Sequence, residues 1–208
     1  MALTSQQFIN KIAPIIVKEA QARGYKYPSA IIAQACLESC YGRSLLSSKY
    51  HNYFGMKCGS SWKGSKAVLK TKEEYVKGKL TTITASFRAY TTMQAGVAGY
   101  FDFINAPRYK NLKKATSAAN YCEHIKAGGY ATSSRYVDML KAIIKQFNLT
   151  YYDAGTQKQH VEKKSFDKIV NNTIKGIYGN GEERRKKLAA LGYDYDKVQA
   201  AVNKKLKG

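Results

Sequence analysis

The sequence predicts an α+β protein: a mainly helical, lobed domain carrying one small antiparallel β-hairpin, followed by a small three-helix bundle. Three observations carry this. Apolar residues recur at helical spacing through 5–22, around 29–42 and through 92–148. Over 80–90 the spacing switches to alternation. A polar, aperiodic stretch at 153–164 then separates the first part from three short helical segments divided by glycines. Helical and alternating periods in one domain define a mixed fold.

The elements follow in order. Phe8, Ile12, Ile15, Ile16 and Ala20 share a helix face over 5–22, with Pro14 a point where that helix can bend. Pro28-Ser29 is a helix start and Gly42 a stop, and between them Ile31, Gln34, Ala35 and Glu38 fall at i, i+3, i+4 and i+7. The run 44–62 is rich in Ser, Gly, Tyr and Lys and reads as a loop. In 80–90, Ile83 and Phe87 with Ala85 and Ala89 alternate with Thr82, Thr84, Ser86 and Arg88, a half-buried strand. Ala67-Val68-Leu69 precedes it and Lys77-Gly78 reads as the turn, so 64–90 is a hairpin. Helical spacing returns with Met93, Val97, Tyr100, Phe101 and Ile104, and continues over 117–126 and 134–148. The divisions are therefore a domain over 1–152, a linker over 153–164 and a module over 165–208. Within the module, helices are expected at 165–175, 181–191 and 194–206, with Gly176 and Gly192 as C-terminal caps and Asp194 as an N-cap.

Of the 208 residues, 35 are Lys or Arg and 14 Asp or Glu, a formal net charge of +21. The excess is shared, with 22 basic against 7 acidic residues in 1–152 and 13 against 7 beyond. A charge this large and this distributed points to a polyanionic partner: nucleic acid, an anionic membrane surface or an acidic cell wall. No run of 18 apolar residues exists, so stable membrane insertion is not expected. The N-terminus lacks a basic segment followed by an apolar one, so no signal peptide is read. Cys36, Cys40, Cys58 and Cys122 have no framework spacing and read as thiols.

Chemistry is narrowed by scarcity. The carboxylates of 1–152 are Glu19, Glu38, Glu73, Glu74, Asp102, Glu123 and Asp138. Glu19, Asp102, Glu123 and Asp138 lie among polar neighbours, where solvated ion pairs are their ordinary role. Glu38 stands on an apolar face. It is either paired with a cation such as Arg43 or kept partly neutral by desolvation and able to donate a proton. Glu73-Glu74 precede the hairpin turn, and an acid on a helix facing a carboxylate on a β-lobe is the arrangement glycoside hydrolysis requires. Tyr50, Tyr53, Phe54, Trp62, Tyr130 and Tyr136 add rings able to pack on sugar faces.

These residues resemble a known family. The run Ala33 to Ser44, AQACLESCYGRS, is similar to the A-Q-A-x-L-E-S-x-[WY]-G-x-S signature of the bacterial endo-β-N-acetylglucosaminidases of glycoside hydrolase family 73, found in flagellar-rod assembly proteins, autolysins and phage endolysins. In order follow Asn52-Tyr53-Phe54-Gly55-Met56-Lys57, resembling N-L-F-G-I-K; Glu74-Tyr75 with Gly78 and Phe87-Arg88-Ala89-Tyr90, resembling E-Y-x-x-G…F-R-x-Y; Arg108-Tyr109; and Gly129-Tyr130-Ala131-Thr132 with Tyr136, resembling G-Y-A-T-D-P-x-Y. Departures are Cys36 for Ala, Cys40 for Gly, Tyr41 for a frequent Trp, Tyr53 for Leu, and Ser133-Ser134 for Asp-Pro. The resemblance covers about 5–150. It implies a lysozyme-like fold that cleaves the β-1,4 bond between N-acetylglucosamine and N-acetylmuramic acid and leaves reducing N-acetylglucosamine. It also implies Glu38 as general acid, Glu74 as second carboxylate, Tyr130, or else Tyr136, as the tyrosine at the reacting sugar, and Asn52, Tyr53, Phe54 and Tyr136 as substrate-binding residues.

The run Ile177 to Leu188 with Leu191 to Asn203 resembles the short wall-binding repeat of certain phage lysozymes, W-G-N-G-x-x-R…L…A-G-Y-D-Y-x-x-V-Q-x-x-V-N, with Tyr178 in place of Trp. It implies that Tyr178, Asn180, Arg184, Tyr193 and Tyr195 bind wall, although core packing of a small bundle equally explains the three tyrosines.

The resulting expectation is a peptidoglycan hydrolase of the endolysin type, without cofactor or metal, made in a host cytoplasm and acting on the wall after release through a holin-type lesion. Its partners are peptidoglycan and anionic wall polymers rather than nucleic acid, and oligomeric state is not readable. A muramidase or lytic transglycosylase acting on the same polymer is the nearest alternative, and an autolysin is the other cellular setting. A rival class is a wall peptidase with Cys36 or Cys40 as nucleophile and His51 or His124 as base. A zinc site of Cys36, Cys40, Cys58 and His51 lacks a C-x-x-C pair.

Overall fold

The computed structural model describes residues 3–76, 79–153, 166–191 and 193–207, and their side chains outside 72–80, 190 and 207. They belong to two compact units divided between 154 and 155.

In the first unit, α1 (Ser5–Ala22) opens with a capping box. Thr4 accepts from the Gln7 amide while the Gln7 side chain accepts from the Thr4 amide. It runs on through Pro14 and buries Phe8, Ile9, Ile12, Ala13, Ile16, Val17 and Ala20. The central element is α2 (Pro28–Glu38), buried at every residue from Pro28 to Cys36. A helix apolar all round belongs inside a bundle, and α1 and the later helix Tyr136–Gln146 pack on it. Pro28, not Ser29, opens this helix, and Tyr27 gives no side-chain cap. The Ser29 amide is met instead by Asp153, whose carboxylate accepts from Ser29 N at 2.9 Å and Ser29 Oγ at 2.8 Å. Asp153, the first residue of the expected linker, is thus buried in the first unit; the rest of that linker, 154–164, lies outside the described residues.

After Glu38 the chain reverses through Cys40, Tyr41 and Gly42, all at positive φ of 51°, 55° and 74°. Within the run read as a loop sits a short helix, α3 (Leu45–Tyr50), capped by Ser44. The hairpin is as expected: β1 (Lys66–Val76) pairs antiparallel with β2 (Lys79–Arg88), with Ala67 opposite Phe87 and Thr71 opposite Ile83. Its turn residues, Lys77 and Gly78, lie outside the described residues. Next come α4 (Met93–Phe103), a 3-10 helix (Pro107–Lys114), α5 (Ala118–Ala127), α6 (Tyr136–Gln146) and a closing 3-10 turn (Leu149–Tyr152).

In the second unit, α7 (166–174), α8 (Gly181–Ala190) and α9 (Tyr195–Lys207) enclose Ile169, Val170, Leu188, Val198 and Val202. Gly176 takes φ 76°, as a helix-ending residue must, and Asp194 caps α9 by accepting from Lys197 N at 2.9 Å. Gly192 lies outside the described residues. Among the described residues no helix is long and apolar enough to cross a membrane. All four cysteines are free thiols.

Candidate active site

Glu38 ends α2 and faces two adjoining cavities. One, of about 400 Å³, is lined by Phe54, Met56, Arg88, Phe103, Arg108 and Tyr130 among others. The second, of about 640 Å³, lies against Leu45, Leu46 and the hairpin residues Leu69, Lys70 and Phe87. Glu38, Gly55 and Lys57 line both, so the carboxyl stands where the two halves of a cleft meet.

The carboxyl is not paired with Arg43, whose guanidinium lies over the Tyr41 ring at 5.3 Å. Its partner is Tyr136, whose hydroxyl donates to Glu38 Oε1 at 2.9 Å. That proton is aimed by a relay. Tyr100 donates to Gln34 Oε1 at 2.6 Å, which fixes the amide so that Gln34 Nε2 donates to the Tyr136 oxygen at 3.1 Å. The Tyr136 proton is thereby directed at Glu38. Tyr121 closes the chain against Tyr100 at 3.1 Å. Among the described residues no hydrogen bond to Oε2 exists, and Gly55 lies against it, so that a Cβ there would stand 3.4 Å from this oxygen. Gly55 holds φ 65°, and a side chain there would be strained and would cover that oxygen.

Burial raises the Glu38 carboxyl above its ordinary range, and the Tyr136 bond opposes this by favouring the ionised form. Tyr136 in turn is pushed well above the phenol range, first by burial and then by the Glu38 charge. The group is therefore a carboxylic acid that holds its proton to higher pH than a free glutamate, at the edge of both cavities and with no hydrogen bond to Oε2 among the described residues.

The other residues singled out from the sequence divide into those at the cleft and those behind it. Tyr130 lines the first cavity, but its hydroxyl donates to the Phe54 carbonyl at 2.6 Å and its ring stacks on Tyr136. Phe54 lines the same cavity with a ring stacked on Tyr100 at 4.0 Å. Asn52, 1% exposed, is a bracket rather than a cleft residue. It donates to the Met56 and Arg88 carbonyls at 2.9 and 2.8 Å and accepts from the Met56 amide at 3.0 Å, which ties the 52–56 loop to the end of β2 and seats Gly55 against Glu38. Tyr53 does not reach either cavity. It is 4% exposed, packs on Phe8 at 5.8 Å and bonds His51 at 2.9 Å. Tyr136, 3% exposed, reaches Glu38 from behind. Glu74 is on β1, paired with Leu80; its side chain lies outside the described residues. Sequence reasoning missed Gln34 and Tyr100, although Gln34 shares the face of Glu38 and is the other polar residue on it.

In the second unit, Asn180 and Arg184 come together. Arg184 donates to Asn180 Oδ1 at 2.8 Å, to Gln199 Oε1 at 2.8 Å and to the Gly179 carbonyl at 2.9 Å. Tyr178, Tyr193 and Tyr195 pack partly buried against the small core, with the Arg185 guanidinium over Tyr195 at 4.1 Å.

Against known proteins, the family model described as mannosyl-glycoprotein endo-beta-N-acetylglucosaminidase matches residues 13–149, and that of the CW_7 repeat matches 167–206. The chain is 38% identical over 162 residues to a probable N-acetylmuramidase of Lactococcus lactis subsp. cremoris (strain MG1363), covering 74% of this chain and 36% of that protein. It is 32% identical over 192 residues to the exo-glucosaminidase LytG of Bacillus subtilis (strain 168), covering 87% and 66%. Among solved structures it is similar to the catalytic domain of the autolysin Auto from Listeria monocytogenes, with TM-score 0.62, 30% identity, and 74% and 91% of the two chains covered. The chain spans little more than a third of the first of these curated relatives.

Proposed function

The chain belongs to the endo-β-N-acetylglucosaminidase family, glycoside hydrolase family 73, and from that premise we propose that it hydrolyses peptidoglycan between N-acetylglucosamine and N-acetylmuramic acid, leaving reducing N-acetylglucosamine. The observation that carries the reading is the position of Glu38: a desolvated carboxyl with one oxygen held by Tyr136 and the other open, at the meeting point of two cavities. A polymer lying across both cavities passes the acid in mid-chain, which supports internal cleavage.

In the proposed step the Glu38 proton passes from Oε2 to the bridging oxygen. The bond from that oxygen to the N-acetylglucosamine C1 breaks, and water supplies the new C1 oxygen, its second proton restoring Glu38. Glu74 is the second carboxylate of the proposal; an anomer-resolved product assay reports whether it acts on water or on C1. Tyr130 and Phe54 both line the first cavity, where a sugar would lie against them. The module contributes Tyr178, Asn180, Arg184, Tyr193 and Tyr195 to wall binding, as an endolysin requires. Synthesis in a reducing cytoplasm, with release through a membrane lesion made by another protein, accords with four free thiols. A thiol peptidase is disfavoured by the same residues: burial pushes the Cys36 thiol up to about 12, and Cys36 and Cys40 line neither cavity.

The test is mass spectrometry of borohydride-reduced fragments from purified peptidoglycan. Wild type yields reduced N-acetylglucosamine ends, and Glu38→Gln lowers their rate of appearance by roughly 10²- to 10⁴-fold, the ordinary contribution of a general acid. Reduced muramic ends, anhydro-muramic ends or new peptide amines would overturn the assignment of the bond.

A further inference from the structure

We propose that the cavity of about 400 Å³ beside Glu38 is an anion subsite, in which Arg88 and Arg108 bind a carboxylate of the polymer close to the scissile bond. This rests on the peptidoglycan reading above and adds to it the part of the substrate that the cavity recognises. The two arginines come from different elements, Arg88 from the end of β2 and Arg108 from the first 3-10 helix. Both guanidinium groups pack on the same ring: Arg88 lies 5.3 Å and Arg108 5.4 Å from the centre of Phe103. Each has a second ring as well, Trp62 at 4.6 Å for Arg88 and Tyr109 at 4.6 Å for Arg108. Stacking of this kind fixes the planes of the guanidinium groups and leaves their N–H edges for a ligand.

Neither arginine forms an ion pair with a described residue. The Arg88 Nε and the Tyr90 and Tyr109 hydroxyls are buried without a well-formed hydrogen bond, and the Arg88 guanidinium is the polar neighbour of the Tyr90 hydroxyl. Glu38 is the carboxyl lining this cavity, and it does not bond either of them. Both guanidinium groups line the same cavity with no described carboxylate bonded to either, so an anion entering it would meet two cations. Hydroxyls of a neutral sugar meet one donor at a time. A carboxylate is planar, takes paired donors and matches a guanidinium fork.

The polymer supplies such a group next to the scissile bond. Across the scissile bond from N-acetylglucosamine is a muramic acid, whose lactyl carboxyl is amide-linked to a stem peptide bearing free carboxylates, and is itself free where the stem has been removed. The shared chemistry is a carboxylate on the muramyl side.

The test compares wild type, Arg88→Gln, Arg108→Gln and Arg108→Lys, with Lys145→Gln, an exposed cation on α6, as the charge control. Three substrates are used: soluble glycan fragments with native stems, the same fragments with carboxylates amidated by carbodiimide and ammonia, and fragments stripped of stems by an amidase. On native fragments KM rises about tenfold in each Gln variant while kcat stays within about twofold, and Arg108→Lys recovers part of the loss. On amidated fragments wild type and the Gln variants have the same KM. If stripped fragments retain the difference the lactyl carboxylate suffices, and if they lose it the stem carboxylate is the ligand. Equal KM for wild type and both Gln variants on native fragments, a penalty that survives amidation, or an equal penalty from Lys145→Gln would overturn the subsite. Failure of wild type to release reducing N-acetylglucosamine from native fragments would instead overturn the proposed function.

Discussion

At the residue scale, two desolvated carboxyls, one half-buried and one buried, set the pH behaviour. In the proposed step Glu38 must be protonated, so activity is expected to fall as pH rises through its raised pKa. Tyr136 donates to the ionised form, so Tyr136→Phe removes a bond that holds that pKa down. The alkaline limb of the kcat/KM profile therefore moves to higher pH in this variant, and an unmoved limb would mean that the bond does not operate in the free enzyme. The other carboxyl is Asp153, raised to about 6 by burial against the opposing pull of the Ser29 donors. Its folded value lies above its unfolded one, so its stabilising contribution is full below about pH 3.8 and is lost as pH climbs through about 6. Thermal melts of the wild type should show Tm declining between pH 4 and 6.5, with a shallower decline in Asp153→Asn. An Asp153→Asn slope equal to wild type would remove this carboxyl as the cause. Glu38 was legible because an acid on an apolar helix face is visible from spacing alone. Asp153 was not: it stands 124 residues from Ser29, and nothing local marks a polar residue at the edge of a polar stretch as the cap of a distant helix. The tyrosines were half legible. Both Tyr130 and Tyr136 were singled out for the reacting sugar; that Tyr136 bonds the acid while Tyr130 lines the cavity depends on how the 128–136 segment folds back, which no local pattern gives.

At the element scale, the periods identified the long helices and the hairpin, because burial on one face leaves a repeat that a reader can count. They missed α3 and the two 3-10 segments, which are too short to show a repeat; α3 is held by the Ser44 cap and 3-10 Pro107–Lys114 by Tyr109 and Leu112 in the core. The packing of α4 against the chain after α3 depends on a glycine in a way no pattern reveals. A Cβ on Gly96 would lie 1.9 Å from the His51 carbonyl, a backbone atom that cannot swing aside. Gly96→Ala should therefore destabilise the first unit by about 1–3 kcal/mol as an overpacked contact, despite the better helix propensity of Ala. In a unit of this size that is a fall in Tm of roughly 2–12 °C, read by differential scanning calorimetry. A variant as stable as wild type would show that α4 moves away without loss.

At the scale of the whole molecule, the question is what brings a strongly basic chain to the wall. Net charge of +21 attracts it to anionic polymers over a range that salt shortens, from about 8 Å at physiological ionic strength to about 3 Å at 1 M. On the proposed reading the module binds by contact, which salt weakens far less. The two are separable because the small core offers a change that leaves every charge in place. Leu188, 0% exposed, is one of the five buried apolar residues of this core, and Leu188→Ala should cost about 2–5 kcal/mol. That is comparable to the whole stability of a bundle this small, so the variant module is largely unfolded while the first unit melts unchanged. Co-sedimentation with purified walls over a salt series then has two expected curves, measured in the Glu38→Gln background so that the walls persist. The Leu188→Ala chain binds at low salt through charge and is released as salt rises, whereas the chain with an intact module keeps a salt-resistant fraction. Coincident curves would mean that charge alone carries the protein to the wall and that the module's tyrosines serve its core. Separate curves would leave Tyr178, Asn180, Arg184, Tyr193 and Tyr195 as the surface to dissect, with activity on soluble fragments equal in chains that retain Glu38, whether or not they carry Leu188→Ala, as the check that the catalytic unit is untouched.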